Sequence, residues 1–356
     1  MKILHTSDLH LASPLTTNLS GERLRIRKRE LAEVFSRLCD AAHGEGCRAM
    51  IIAGDLFDSE RVSKIALSAL IDRIRTEKDI EFFYLAGNHE GRLITECGIS
   101  LPKNLNIFGE DWTSFTLGEL MISGRSRLTP NAFDSLSLDI NRKNIVVLHG
   151  ELRDHTDEEV IGKRDAVGRG IDYIALGHYH SYDEIVLDER TRAVYSGTPE
   201  GRGFDELDEK GYVVIDTDDV AISSRFVPFA KRTLRHIRLD ISRADTQAEL
   251  SALAGEALSG VAPSSLVRLE LCGSYKEGLF KDTESIKSSF ESHFFYLELR
   301  DSSRLEIDVE KLKYDKTLKG EFIRLVMKDE SIDSKIKDKI ISCGLYALLG
   351  EALFEE

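Results

Sequence analysis

Several features that define common protein classes are missing from this sequence of 356 residues. There is no C-x-x-C pair, and the five cysteines are scattered, as Cys39, Cys47, Cys97, Cys272 and Cys343. We interpret them as reduced, mostly buried thiols of a cytoplasmic protein. No apolar run approaches the roughly 20 residues that a membrane helix needs. The N-terminus enters a strand at once and has no apolar signal core. We therefore expect a protein that neither crosses a membrane nor is secreted.

Positive charge is also in short supply. The chain has 48 Lys and Arg against 62 Asp and Glu, which gives a net charge of −14. This balance argues against a protein that binds nucleic acid by bulk charge alone. It leaves room for a local basic groove, or for a site where metal ions supply the positive charge. The length is sufficient for one large domain and a smaller one.

What the sequence does contain is a series of apolar strands that end directly at polar residues. One of them, Ala49–Ala53, is followed by Gly54-Asp55. Open α/β sheets bind their ligands at such carboxyl ends of strands. Four other predicted strand ends carry similar side chains: Asp8-Leu9-His10, Gly87-Asn88-His89-Glu90, His149-Gly150 and Gly177-His178-Tyr179-His180. One such end arises often by chance, but five together indicate a shared site.

These carboxylate, amide and imidazole groups suit the hydrolysis of a phosphodiester by two metal ions. Two cations about 3.5–4 Å apart acidify a water and clamp the attacking and leaving oxygens in line. Holding cations that close requires a bridging carboxylate, with His, Asp or amide oxygen in the remaining positions. Mixed nitrogen and oxygen ligands suit manganese, iron or zinc. The absence of cysteine from these strand ends agrees with this harder ligand set.

The order of the predicted elements favours an α/β fold with more than one domain. Strands and helices alternate at first, as in a sheet that is covered by helices, and shorter strands follow. We predict a large domain over residues 1–232, a small α+β domain over 233–310 and C-terminal helices over 311–356. The predicted helices 316–328 and 333–354 carry apolar stripes, which serve either core packing or the binding of a partner.

A predicted helix over residues 22–42 begins with a basic run. Its basic residues are Arg23, Arg25, Arg27, Lys28 and Arg29. The bland interpretation is a solvated helix face. The sharper one is a patch that contacts phosphate, because the helix follows a ligand-bearing loop. The sequence alone leaves both open.

Taken together, the five strand-end motifs resemble those of the calcineurin-like metallophosphoesterases. The opening Ile3–Leu11 and the loop Tyr195–Glu206 narrow the resemblance to the SbcD-type DNA-repair exonucleases, nuclease subunits that partner an SMC-like ATPase. The resemblance implies a metallophosphoesterase β-sandwich flanked by helices, with a small α+β cap domain and a C-terminal helical tail. For residues 232–356 it is architectural and has no diagnostic motif.

The resemblance also implies roles for individual residues. The implied ligands of one metal are Asp8, His10 and His180, and those of the second are Asn88, His149 and His178. Asp55 would bridge both metals, and His89 would be the catalytic histidine that binds no metal. The implied activity is manganese-dependent cleavage of DNA phosphodiesters, as an exonuclease on ends and also as an endonuclease. The implied partners are DNA, an SbcC-type ATPase on the C-terminal helices, and a second copy of the chain.

Two acidic residues beside these motifs need separate interpretation. Glu90 stands where SbcD-type enzymes usually have Asp, and we interpret it as the group that orients His89. Asp58 is expected to brace its loop without binding a metal. Two other functions stay open. One is a phosphoesterase for a smaller substrate, such as a cyclic nucleotide or a phosphoprotein. The other is a scaffold with a silent site, which acts through its C-terminal helices.

Overall fold

The chain forms two compact units, seen in a computed structural model that describes residues 1–15, 17–59, 62–276, 278–306 and 308–349. The first unit contains Met1–Arg235 and Ser264–Leu266. The second contains His236–Pro263 and the chain from Val267 onward. The finer division of the sequence, with breaks after residues 232 and 310, stays a prediction.

The first unit is a mixed α/β structure. Its strands are β1 (Lys2–Thr6), β2 (Cys47–Ala53), β3 (Glu81–Leu85), β4 (Leu105–Ile107), β5 (Thr113–Leu117), β6 (Leu120–Gly124), β7 (Lys143–His149), β8 (Glu151–Arg153), β9 (Val160–Gly162), β10 (Tyr173–Gly177), β11 (Asp183–Val186), β12 (Arg192–Tyr195), β13 (Gly211–Asp216) and β14 (Ser223–Pro228). Its helices are α1 (Gly21–Ala32), α2 (Val34–Glu45), α3 (Lys64–Thr76) and the short α4 (Lys163–Ala166), with a 3-10 turn at Ala132–Ser135.

Two six-stranded sheets form the centre of this unit. The spatial order is β14-β13-β1-β2-β3-β4 in one sheet and β11-β12-β10-β7-β6-β5 in the other. Strands β1, β2 and β3 are parallel, and so are β7, β10 and β12. Parallel strands end at the same edge of a sheet. The fold therefore gathers the residues that follow β1, β2 and β3, and likewise those that follow β7 and β10.

The apolar run of β2 shows why the sheets pack on both faces. Alternate residues of a strand point to opposite faces. Ala49, Ile51 and Ala53 lie in the core between the two sheets. Met50 and Ile52 lie in the core shared with α2 and α3. All five are fully buried, so the sandwich flanked by helices that was predicted is confirmed.

The single helix predicted over 22–42 is wrong at Glu33, where α1 ends and α2 begins. The two helices bury different kinds of side chain. In α1 the buried residues are Arg27 and Glu30, whereas α2 buries apolar residues such as Phe35 and Leu38. One continuous amphipathic stripe does not describe both surfaces.

The second unit has its own sheet and core. Its strands are β15 (Leu234–Asp240), β16 (Leu266–Cys272), β17 (Ser274–Tyr275), β18 (Tyr296–Asp301) and β19 (Arg304–Leu305). Its helices are α5 (Gln247–Leu258), α6 (Thr283–Phe290), α7 (Val309–Leu312), α8 (Leu318–Lys328) and α9 (Ser334–Leu349), with a 3-10 turn at Glu291–His293. The main sheet has the order β15-β16-β18. Leu250 of α5, Ile286 of α6 and Leu269 of β16 share its core.

The C-terminal helices divide their apolar residues between core and surface. Ile323 of α8 and both Ile341 and Leu345 of α9 form a buried cluster. Leu318 and Leu325 are exposed on the same helix pair. Residues 350–354 of the helix predicted over 333–354 lie outside the described residues. None of the described helices is both long enough and apolar enough to span a membrane.

Candidate metal centre

The residues proposed as ligands come from five strand ends that the two sheets bring to one place. Three of these ends belong to β1, β2 and β3 and two to β7 and β10. Backbone hydrogen bonds continue beyond the strands and join the first two loops. Asp8 N donates to Gly54 O at 3.0 Å, and His10 N donates to Asp55 O at 2.9 Å. The carboxylates of Asp8 and Asp55 are therefore held by a paired backbone.

Strained backbone marks the same loops. Asp8, His10, Asp55 and His178 have φ angles of 51°, 44°, 51° and 95°. Eight described non-glycine residues have positive φ, and these four are half of them. A left-handed conformation is costly for most residues and persists where the surrounding structure enforces it, often at functional sites. This backbone conformation directs the side chains towards the space at the carboxyl ends of the strands of both sheets.

Two motif glycines permit the close approach of these loops. A Cβ at Gly87 would lie 2.0 Å from Asp55 Oδ1. A Cβ at Gly54 would lie 2.1 Å from His149 Nδ1, and its φ of +91° also favours glycine. A side chain at either position would displace a predicted ligand.

One half of the centre contains Asp8, His10 and His180. His10 Nε2 lies 3.3 Å from His180 Nε2, which in turn lies 3.9 Å from Asp8 Oδ1. One ligand atom from each of the three residues lies within 4.8 Å of those of the other two. His10 Nε2 is also 3.8 Å from Asp55 Oδ2. We call Asp8, His10 and His180 the first half-site.

The other half contains Asn88, His149 and His178. His149 Nε2 lies 3.2 Å from Asn88 Oδ1 and 3.3 Å from Asp55 Oδ2. The rings of His149 and His178 are 5.4 Å apart, edge to face. The His178 backbone N–H donates to both oxygens of Asp8, at 3.0 and 3.1 Å. We call Asn88, His149 and His178 the second half-site. Asp55 lies between the halves, where a bridge was predicted.

Three residues that the sequence did not single out for this purpose hold the first half-site. His10 Nδ1 lies 3.0 Å from Asp58 Oδ1, and His180 Nδ1 lies 2.8 Å from Glu206 Oε1. Arg202 joins the two acids, with ion pairs of 3.3 Å to Asp58 and 2.5 Å to Glu206. A carboxylate that accepts a hydrogen bond in this position fixes the orientation of a histidine ligand and raises its basicity. Burial lowers the pKa of His180, but Glu206 raises it above its ordinary value. His10 Nδ1 is close to Asp58 without a hydrogen bond among the described residues. The loop Tyr195–Glu206 was conspicuous in the sequence, but nothing local indicated which histidine its acid would face.

A hydroxyl pair fixes Asp8 in a similar way. Ser7 Oγ donates to Asp8 Oδ2 at 2.5 Å and lies 2.9 Å from Ser196 Oγ. Ser7, Asp8 and Ser196 are fully buried. The loop Tyr195–Glu206 thus supports two residues of the first half-site: Glu206 contacts His180, and Ser196 contacts the Ser7 hydroxyl that binds Asp8.

The interpretation of Glu90 as the group that orients His89 is wrong in this structure. The Glu90 carboxylate is fully buried and accepts the backbone N–H groups of Leu56 at 3.0 Å and Phe57 at 2.7 Å. Burial raises its pKa to about 7, against the lowering effect of these hydrogen bonds. Glu90 therefore holds the loop that follows Asp55.

His89 stands at the open side of the centre. Its ring is 5.0 Å from that of His10, and its Nε2 lies 3.8 Å from Asp55 Oδ2. Its Nδ1 lies 3.3 Å from the Asp58 carbonyl oxygen, which is the group that orients the ring. The side chain is 46% exposed, so it is accessible to a substrate in the cleft.

Asp58 also forms a candidate ligand group with His10 and His89. It shares His10 with the first half-site, but the two ring nitrogens face different ways. Nδ1 faces Asp58, and Nε2 faces His180 and Asp55. This arrangement favours Asp58 as a support for His10, which is more specific than the brace expected from the sequence.

Electrostatics in the centre follow from many acids and imidazoles in a buried place. Burial raises the pKa of Asp55, but its bond to His149 and the charges around it lower that pKa to about 2. Burial lowers the pKa of His149, yet Asp55 and Asp8 raise it to about 9. The surroundings of His149 thus favour a positive charge, whereas burial and the charge of Arg202 lower the pKa of His10 to about 4. Protons and metal cations would compete for these ligand atoms, as is usual at metal sites.

The donor set fits two divalent cations. Each half-site combines imidazole nitrogen with an oxygen ligand, and Asp55 lies within 3.8 Å of a ring nitrogen from both. Separations of this size are typical of atoms that share one ion. His10 Nε2 and His180 Nε2, which are 3.3 Å apart at hydrogen-bonding distance, are also placed where they could share a common cation.

The basic run at the start of α1 is mostly exposed, which both interpretations allow, but one of its members is buried. Arg25 and Arg29 are exposed and pair with Glu22 and Glu33 along the helix. Arg27 fits neither interpretation, since it is only 1% exposed and pairs with Glu30 at 3.1 Å and Glu200 at 2.9 Å. The ion pair with Glu200 links α1 to the loop Tyr195–Glu206.

Comparison with known proteins agrees with this geometry. Residues 1–182 match the model of the calcineurin-like phosphoesterase family. The chain belongs to this family. Its members use a dinuclear metal centre, and the described residues of this chain contain groups that could hold a metal ion.

Curated relatives of this phosphoesterase include proteins with and without a stated role. The chain is 26% identical over 313 residues to the uncharacterized metallophosphoesterase YhaO of Bacillus subtilis, covering 82% of this chain and 76% of YhaO. It is 26% identical over 290 residues to the DNA double-strand break repair protein Mre11 of Methanosarcina acetivorans, covering 77% of this chain. That match spans about half, 46%, of Mre11. A crystal structure of a Thermus thermophilus protein superimposes with a TM-score of 0.42 at 11% identity, covering 63% of this chain and 98% of that one.

Proposed function

We propose that this phosphoesterase is a DNA nuclease that uses two metal ions, acting as an exonuclease and also as an endonuclease. The observation that carries the proposal is the convergence of ring nitrogens on one carboxylate: His10, His89 and His149 each place a nitrogen within 3.8 Å of Asp55 Oδ2. The similarity to Mre11 over 77% of the chain supports DNA as the substrate. The net charge of −14 is compatible with it, because bound cations would supply the positive charge at the phosphate.

The two cations would be held by the first and second half-sites and shared through Asp55. When bound, they would supply a water acidified for attack and would neutralise the phosphoryl oxygens. Manganese is the proposed metal, because mixed imidazole and carboxylate ligands suit it. Asp58 and Glu206 keep the rings of His10 and His180 turned towards the ions.

His89 is the proposed proton donor to the leaving oxygen. Its Nδ1 is 3.3 Å from the Asp58 carbonyl, so a proton on Nδ1 is held there. The mobile proton is then on Nε2, which faces the centre 3.8 Å from Asp55 Oδ2. A positioned imidazole of this kind contributes roughly 10²–10⁴-fold to a rate.

We further propose an SMC-like ATPase of the SbcC type as the partner, bound by α8 and α9. Exposed apolar residues on these helices support a protein contact: Leu318, Leu325, Met327, Ile336, Ile340 and Leu348. A homodimer through the phosphoesterase domain is part of the same proposal. Co-purification of the ATPase that persists after removal of residues 311–356 would contradict the placement of this contact.

The test of the nuclease proposal compares two substrates. Purified protein with manganese is assayed on linear DNA, by gel, and on a small chromogenic phosphodiester. We expect cleavage of DNA that is lost with a chelator and absent in Asp55→Asn, which controls for contaminating nucleases. Turnover of the chromogenic diester alone would instead favour an enzyme for small phosphodiesters or phosphoproteins.

A further inference from the structure

A cavity lies beside the second half-site that the proposed cleavage chemistry does not use. Its volume is about 370 Å³, which is in the range of small-ligand pockets. His178 forms one wall, and Tyr179, the next residue, is 55% exposed there. Neither the strand-end motifs nor the metal ligands require an aromatic residue between the two histidines.

The Tyr179 ring is held in place from below. It contacts the ring of Tyr195 edge to face, with centroids 5.7 Å apart. Tyr195 is itself buried and fixed at its hydroxyl, which donates to Gly150 O at 3.0 Å and accepts from Leu152 N at 2.9 Å. A rigid aromatic platform with more than half of its surface free is a typical stacking surface for a planar ring.

The other residues that line the cavity favour a nucleobase over a phosphate as its ligand. Leu152 and Ile185 provide apolar lining. Glu151 and Asp183 supply carboxylates, against one cation, Lys163. Two carboxylates repel a phosphate but accept hydrogen bonds from amino groups, such as those of cytosine, adenine or guanine. The chemistry of the cavity therefore fits a nucleobase.

The position of the cavity relates it to the metal centre. His178 also lines a second cavity of about 370 Å³, together with Asn88 and His149. Arg127, whose side chain is 70% exposed, lines that second cavity together with three acids, Glu110, Glu158 and Glu159, and pairs with Glu110. Because His178 lines both cavities, a phosphodiester at the metal centre would lie next to the Tyr179 cavity.

We propose that the Tyr179 cavity binds one unpaired nucleobase next to the phosphodiester at the metal centre. This inference rests on the proposed function, because it places a nucleotide phosphate at the half-sites. A base stacked in a duplex cannot enter a pocket of this kind without leaving its stack. The site therefore selects single-stranded or frayed DNA at this nucleotide.

Calorimetric binding to the manganese-loaded full chain tests the pocket without turnover. The two ligands are deoxycytidine 5′-monophosphate and inorganic phosphate, and the readout is the ratio of their affinities. We expect Tyr179→Ala to lower the nucleotide-to-phosphate ratio roughly tenfold, in line with the strength of base–aromatic stacking. Tyr179→Phe keeps the ring and should keep the ratio. Tyr314→Ala removes an exposed tyrosine of the second unit and serves as the matched control.

Tyr179→Leu keeps bulk without an aromatic face, and it should behave as the alanine variant does. An unchanged ratio in both Tyr179→Ala and Tyr179→Leu would overturn the proposal. The DNA assay separates this result from a failure of the nuclease proposal. DNA cleavage with an unchanged ratio rejects the base pocket alone. A lowered ratio in a protein that cleaves no DNA supports the pocket and rejects DNA as substrate.

Discussion

The two half-sites of the candidate metal centre differ in what holds their histidines. In the first, His10 and His180 each face a carboxylate, at 3.0 Å from Asp58 and 2.8 Å from Glu206. In the second, His149 Nδ1 lies 2.9 Å from the carbonyl oxygen of Ala53. A carboxylate partner makes an imidazole a stronger ligand than a neutral carbonyl does. We therefore expect the first half-site to bind its cation more tightly.

The ligands of the first half-site are also less exposed to solvent than those of the second. Asp8 and His10 are buried, whereas Asn88 and His178 are exposed towards the cleft. A buried and braced half-site keeps its ion, and an open one leaves room for a substrate oxygen. Ligands of similar type at strand ends thus acquire different roles from the residues that lie behind them.

Loss of Asp55 should have the largest effect, because this residue belongs to both half-sites. Asp55→Asn should reduce bound manganese from two ions per chain to fewer than one and abolish phosphodiester hydrolysis. Elemental analysis of the dialysed protein gives the stoichiometry. Near-full loading with two ions in this variant would refute the bridge.

His89 belongs to neither half-site, so its loss should separate chemistry from metal binding. His89→Ala should lower the hydrolysis rate by roughly 10²–10⁴-fold, because a proton donor is lost. Manganese titration should be unchanged in both steps. Unchanged DNA cleavage in this variant, together with loss of function on deletion of residues 311–356, would favour the scaffold interpretation.

Glu206→Gln should affect the two half-sites unequally. Loss of the charge behind His180 is expected to weaken metal binding at the first half-site by roughly 10–100-fold. The second binding step should stay within a fewfold of its original affinity, as followed by calorimetric titration. Glu209→Gln, an exposed acid three residues further along the chain, is the matched control. Equal weakening of both steps would contradict the proposed asymmetry.

Asp58→Asn should have a smaller effect of the same kind. The Asp58 side chain is 29% exposed, whereas that of Glu206 is 2% exposed, so solvent screens its charge more. We expect a loss of first-step affinity of no more than about tenfold. The loading at saturating manganese should stay at two ions per chain. A loss larger than that of Glu206→Gln would reverse the ranking and indicate that Asp58 is itself a ligand.

Much of the fold and of the candidate site followed from local signals in the sequence. The buried run of β2 and the Gly-Asp that ends it are adjacent in the chain, so periodicity and position were sufficient. The same holds for His149 at the end of β7 and for His178 after β10. Parallel strands then bring such ends together without further information.

The supports of the site depend on contacts between distant parts of the chain, which periodicity does not report. Arg202 reaches Asp58 across 144 positions, and Arg27 reaches Glu200 across 173. The basic run was therefore open to two surface interpretations, although Arg27 is buried. The predicted pairing of Glu90 with its neighbour His89 is wrong for the same reason, since the Glu90 carboxylate binds the loop of Leu56 and Phe57.

Anomalous diffraction at the manganese edge, from crystals grown with manganese, tests the central claim most directly. We predict two peaks per chain on either side of the Asp55 carboxylate. One should lie beside Asp8, His10 and His180, and the other beside Asn88, His149 and His178. A single peak, or two peaks that do not share Asp55, would contradict the account.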